Sequence, residues 1–250
     1  MKRSDESRQV GLARALSKLG YCSRSQAEKL IRAGRVRLNG VTRRDPETPV
    51  HMERDRMEVD GDAVRAEAMI YLMLNKPRGV VTTASDEKGR KTVYSFLGEK
   101  APWVGPVGRL DKASEGLLLL TNDSEWAARI SDPGSHLDKI YHVQVDTRSF
   151  ILLCDTLQRG VLADGEVLRA KQARVLREGE KNTWLEITLD EGRNRQIRRM
   201  MERQGIEVLR LIRVAVGPLA LGNLAKGQSR LLSTAEKAAL DQAMNIAQEK

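Results

Sequence analysis

Arg109 and Asp111 stand two residues apart in "GRLDKASEGLLLLTND", residues 108–123, just ahead of four consecutive leucines, Leu117 to Leu120. A solvated loop has no use for four leucines, and a buried strand rarely begins beside a free carboxylate, because burying an unpaired charge is costly. The combination describes a polar group fixed to the end of a rigid buried element, where a carboxylate can act as nucleophile or base. A turn aspartate before a core strand is the reading without chemistry. A second cluster, "EGRNRQIRRM" at residues 191–200, sets Arg193, Arg195, Arg198 and Arg199 with Asn194 and Gln196 at the entry to a helix. Ile197 and Met200 interrupt it, so part of the cluster must face a core. Arg195 and Arg198 share a helix face while Arg198 and Arg199 diverge. An arginine turned inward needs a carboxylate partner; Asp111 is a natural candidate, and spacing leaves the pairing open. The third candidate is Tyr141, flanked by Lys139 and His142 in "KIYHVQV". By residue type alone it reads first as a core aromatic with a satisfied hydroxyl.

The elements that must position these groups are mainly strands. "IYLMLNKPRG" places Ile70, Leu72 and Leu74 on one face and then turns, and "GVVTT" reads as a continuing strand. "GLLLLTND" fits a strand buried on both faces. "KIYHVQV", "WLEITLDEGRNRQ" and "VLRLIRVAVGPLAL" add further strands, "RQIRRMMERQG" a helix ending near Gly205, and "STAEKAALDQAMNIAQ" a terminal helix with a Ser233–Glu236 capping box. The expected class for residues 68–250 is α+β, with a mostly antiparallel mixed sheet. No internal repeat or low-complexity segment appears.

Residues 8–64 read as a small separate domain of helix, turn, helix and hairpin. Leu12, Leu16 and Leu19 share a helical face. Ser25 and Glu28 have capping-box spacing for a second helix that Gly34 would end, and Asn39-Gly40 is a hairpin signal. Lys18, Arg24, Arg32, Arg35 and Arg37 gather around that helix and the strand after it, with Ser25 and Asn39 counted in the same surface. A helix start offers free N–H groups suited to a phosphate; a solvated basic face is the alternative. "DAVRAEAM" reads as a linker.

The chain has 250 residues and a formal net charge of +9, with 40% hydrophobic and 4% aromatic residues. Its core must therefore be aliphatic, and its charge favours a polyanionic partner such as nucleic acid. The two cysteines, Cys22 and Cys154, are far apart and form no zinc-type spacing, so no metal is expected. The first ten residues lack the apolar run of a signal peptide, and no stretch is apolar enough to span a membrane. A cytoplasmic monomer without membrane contact is expected.

"SRSQAEKLIRAGRVRLNG" resembles the alpha-L RNA-binding motif of a small-subunit ribosomal protein and of bacterial tyrosyl-tRNA synthetases, which implies binding of structured RNA by shape and phosphate contacts. "LNKPRG", "GPVGRLDKASEGLLLLTND", "KIYHVQV", "LDEGRNRQIRRMMERQG" and "LRLIRVAVGPLALGNLAKGQSRLL", in this order, resemble the RsuA/RluB-type pseudouridine synthases across almost the whole chain. That resemblance implies isomerisation of a uridine in ribosomal RNA to pseudouridine, without cofactor, on the RNA alone or on a ribosome assembly intermediate. It implies Asp111 as the catalytic aspartate, Tyr141 as the ring stacked on the target base, and Arg198 as the basic partner of the aspartate. Arg109, Lys76, Arg193 and Arg195 are expected to hold flanking phosphates or refill the vacated stack, and Gln196 is counted among the substrate-binding residues. A single carboxylate suits isomerisation better than hydrolysis, which usually needs a second one to activate water. Large-subunit RNA is the expected substrate. Small-subunit RNA, transfer RNA, a glycosylase releasing free uracil, and a non-catalytic ribosome-assembly protein are the competing readings.

Overall fold

The computed structural model describes residues 9–84, 86, 88–98, 102–146 and 151–248. The chain divides into two compact units. One holds the chain up to Tyr71, a short segment ending at Gly105, and Leu120–Ala127; the other holds the remainder.

In the first unit, helices Leu12–Lys18 and Arg24–Arg32 pack through Leu12, Leu16, Ala27 and Ile31. They meet a four-stranded sheet in the order Val41–Arg43, Val36–Leu38, Met57–Val59, Asp62–Ala63. Asn39 and Gly40 both take positive φ, 52° and 79°, as the primed two-residue turn of a tight hairpin requires. Two expectations need correction here. The capping box belongs to Ser23 and Gln26, not to Ser25 and Glu28, because the helix already starts at Arg24. The expected linker is in part a strand, Asp62–Ala63, and Val64 and Glu67 donate backbone hydrogen bonds to Met57 and Leu19.

A nine-stranded sheet organises the larger part of the chain. Its main strands run Gln172–Glu178, Thr183–Leu189, Lys139–Val145, Val208–Val216, Glu115–Thr121, Tyr71–Lys76, Ser229–Leu231, with Gly105–Val107 beside Glu115–Thr121 and Leu219–Ala220 beside Val208–Val216. The architecture is α+β, and antiparallel pairing dominates. One short contact in the sheet is parallel, with Glu115 opposite Ile212 and Gly116 opposite Arg213. Gly116 has φ +101°, and a Cβ there would lie 2.2 Å from the Arg213 carbonyl oxygen, so glycine is required for this approach. The whole Glu115–Thr121 strand is buried, as its leucines demand. Val143, Val145, Leu185, Ile187 and Leu211 project from one sheet face onto Leu157, Ile197, Met200 and Met201 of helices Ile151–Arg159 and Gln196–Arg203. "GVVTT" is not a strand; it contributes only a Val81–Thr92 bridge.

Candidate active site

Asp111 lies in the loop that feeds the leucine strand, and three contacts fix that loop. Thr82 Oγ1 donates to the Leu110 carbonyl at 2.8 Å and accepts from the Leu110 N–H at 3.3 Å. The Gly79 N–H donates to the Lys112 carbonyl at 2.7 Å. Lys76 sits beneath, with no exposed surface, and its ammonium donates to the carbonyls of Pro77 and Asp111 at 3.1 Å and of Ser114 at 2.7 Å. Burial pushes the Lys76 ammonium down to about 8, against the attraction of Asp111 and Glu115. Lys76 was expected on a phosphate; it is instead an internal strut of the aspartate loop.

Glu115, at the far end of the same loop, is almost fully buried. Arg210 donates to it at 3.1 and 3.2 Å, and Lys226 approaches to 2.5 Å. Burial alone would raise this carboxyl, but the hydrogen bonds from Arg210 and Lys226 outweigh it and hold it below the ordinary value.

The Asp111 carboxylate remains 37% exposed and opens into a cleft of about 470 Å³ lined by Arg109, Lys112, Lys88, Arg90 and Asn194 among others. Asp86 also lines this cleft, but Arg90 grips it through Nε and Nη2 and holds its carboxyl down to about 2. Among the described residues, Asp111 is therefore the carboxylate that the cleft leaves available. Lys88, Arg90 and Lys112 escaped the sequence reading: the stretch 82–92 has no periodicity to mark the first two, and Lys112 follows Asp111 with no pattern of its own.

The arginine in ion-pair range of Asp111 is Arg195, at 3.9 Å. Arg198, expected to fill that role, donates instead to the carbonyls of Ala113 at 3.1 Å and Val208 at 3.2 Å. Its Nε is buried without a hydrogen-bond partner among the described residues. Burial and then the Arg195 charge lower the Arg198 guanidinium, while Asp111 opposes them. Arg195 caps the Gln196–Arg203 helix in a left-handed conformation, φ 49°. Gln196 builds that turn: its buried amide donates to Glu191 and to the Arg169 carbonyl, both at 2.9 Å, and accepts from the Arg193 N–H at 3.2 Å. Gln196 is thus a frame residue rather than a surface offered to substrate. Arg193 pairs with Glu191 at 2.9 Å. Arg199 and Arg203 are tied to Asp164 in the hairpin of Val161–Ala163 and Glu166–Leu168. Tyr141 is half-buried, packed against the main core and paired across the sheet with Ile187 and Arg213.

In the first unit, Arg35 grips Asp60 bidentately, Arg24 pairs with Glu47 at 3.1 Å, and Lys18 pairs with Glu125 of the same unit at 2.6 Å. The Asn39 amide bridges Asp55 and the Arg56 N–H, and Ser25 sits 3.3 Å from the Ser23 hydroxyl. Of the five basic residues singled out, Arg32 and Arg37 have no side-chain partner among the described residues.

Residues 70–203 match the family model described as RNA pseudouridylate synthase, and residues 10–56 match the S4 domain. The chain is 38% identical over 239 residues to an uncharacterized RNA pseudouridine synthase of Aquifex aeolicus, covering 95% of this chain and 96% of the relative. It is 38% identical over 227 residues to the ribosomal large subunit pseudouridine synthase B of Bacillus subtilis, covering 90% and 93%. A solved structure described as the crystal structure of pseudouridylate synthase superposes with a TM-score of 0.66 at 30% identity, covering 92% of this chain and 99% of the other.

Proposed function

Because this chain belongs to the RNA pseudouridylate synthase family, we propose that it converts a uridine of large-subunit ribosomal RNA to pseudouridine with Asp111 as its catalytic carboxylate. The observation that carries this reading is Asp111 itself, half-exposed in a cation-rimmed cleft on a loop braced from within by Lys76. The reaction breaks the C1′–N1 bond, turns the uracil, joins C1′ to C5, and moves the C5 proton so that N1 becomes protonated. Atoms balance without water, so the cleft must hold the detached base and keep water from C1′.

The Asp111 carboxylate lies 3.9 Å from the Arg195 guanidinium. It acts on the ribose or base of a uridine flipped out of its stack. Arg198 positions it indirectly, by holding the Ala113 carbonyl of the same loop, and Arg109 and Lys112 meet the flanking phosphates at the rim. Tyr141 supplies the flat ring against which the base rests. The Bacillus subtilis relative's name supports the large subunit as the source of the substrate.

The test is release of tritium from C5-labelled uridine in unmodified ribosomal RNA of each subunit. Wild type should release label from large-subunit RNA, and Asp111→Asn should lower the rate by about 10²–10⁴-fold or more. Label released only from small-subunit RNA would move the substrate; a fully active Asp111→Asn would remove Asp111 from the chemistry.

A further inference from the structure

The reaction proposed above uses one cleft, and a second lies beside it. It measures about 400 Å³ and is lined by Val167, Arg169, Lys171, Asp190, Glu191 and Arg193 among others. That volume falls in the range of roughly 300–1,000 Å³ usual for small-ligand sites. Arg193 lines this cleft and its chain neighbour Asn194 lines the Asp111 cleft, so the two adjoin.

Most charges in the second cleft are already committed. Lys171 pairs with Asp138 at 2.8 Å, and Arg193 with Glu191 at 2.9 Å. Arg169 and Asp190 form no direct ion pair among the described residues, and the Asp190 charge acts on the Lys139 ammonium from a longer range. The Arg169 backbone is fixed, because its carbonyl accepts from Gln196, but its side chain is exposed. Val167 is 51% exposed and gives the cleft an apolar wall. A free guanidinium matches a phosphate, an apolar wall matches a flat ring or sugar, and a free carboxylate accepts from a base edge rich in N–H groups. Guanine offers N1–H and the N2 amino group side by side to such a carboxylate, whereas uracil offers a single N–H.

We propose that this cleft is a subsite for a second nucleotide of the RNA, one or two positions from the target uridine, and that Asp190 makes it select guanine. The proposal rests on the reading that the Asp111 cleft takes the uridine. Arg169 holds the phosphate of the second nucleotide, and Val167 packs against its base. The site thus supplies sequence selection that the Asp111 chemistry does not contain.

The experiment begins by mapping the modified uridine in ribosomal RNA. A stem-loop transcript spanning it is then made with each flanking nucleotide replaced singly. Wild type should lose about tenfold in kcat/KM when one flanking guanine is replaced. Asp190→Asn should treat that guanine and its replacements alike, and Arg169→Ala should raise KM about tenfold, more than it lowers kcat. If wild type converts the RNA and neither variant alters KM or base preference, the subsite is wrong and the reaction stands. A mapped site with no guanine within two positions also overturns it. If wild type converts no uridine in either subunit's RNA, the reaction itself falls and the subsite with it. Should a variant fail to fold, photocrosslinking of wild type to transcripts carrying 6-thioguanosine at each flanking position decides: adducts at residues 167–171 or 190 support the subsite, and adducts only elsewhere reject it.

Discussion

A lysine with no exposed surface cannot meet a phosphate, and Lys76 shows how a basic residue before "PRG" misleads. Its three N–H donors match three carbonyls of the aspartate loop, so it acts as the loop's internal support. Lys76→Met leaves those carbonyls unpaired, and the chain should lose about 3 kcal/mol at pH 7. The pH dependence has a definite sign. The folded-state value is about 8 against an ordinary 10.5, so between these values the folded chain has shed a proton that the unfolded chain keeps, and the wild type gains stability as pH rises. Urea midpoints at pH 7, 8, 9 and 10 should therefore show a wild-type advantage over Lys76→Met that is flat below about 8 and widens above it; a gap that narrows would refute the depressed ammonium. Asp111 stands out in the sequence because an acid beside four leucines is either a turn residue or part of a site, and the structure sets it in the lining of a cleft. The arginine nearest to it does not stand out. Whether Arg195 or Arg198 reaches the carboxylate depends on a left-handed turn held by Gln196 against the carbonyl of Arg169, which is remote in sequence.

At the scale of elements, the strands legible in the sequence were those whose alternation is enforced by one buried face, such as Lys139–Val145 and Thr183–Leu189. Failures came where a side chain competes with the backbone ladder. Thr82 spends its hydroxyl on Leu110, and "GVVTT" leaves the sheet. "SRSQAE" contains two overlapping capping spacings, and the one nearer the preceding turn prevails because Ser23 accepts from the Gln26 N–H. The hairpin at residues 161–168 was missed because Arg199 and Arg203 pin its turn from another element. Gly116 carries the parallel contact at the base of the aspartate loop. Gly116→Ala combines a left-handed φ with a Cβ driven into the Arg213 backbone, so it should cost about 3 kcal/mol or more. Thermal melting measures this directly, and an unchanged midpoint would mean that the two strands part easily.

Across the whole molecule, the count of 43 lysines and arginines overstates the free cations, since many are matched to acids within their own unit. Among the described residues, no helix is long and apolar enough to cross a membrane. Of the five basic residues singled out in the front module, Arg32 and Arg37 have no side-chain partner among the described residues, and each should act on RNA as a phosphate contact. Replacing either by alanine should weaken binding similarly for all RNA sequences and reduce the slope of log K against log salt by about one; a slope unchanged in both variants would place the RNA elsewhere on this unit. One feature of the sheet also bears on synthesis. The strand Ser229–Leu231 pairs with Tyr71–Lys76, Leu231 opposite Leu72, and Lys226 reaches back to Glu115. A chain emerging from the ribosome can close the hairpins and helices of residues 10–63 early, since their partners all lie within that span. The strand Ser229–Leu231 can join its sheet only once residue 231 has been made, so the pairings of the front module can all form before that sheet is complete.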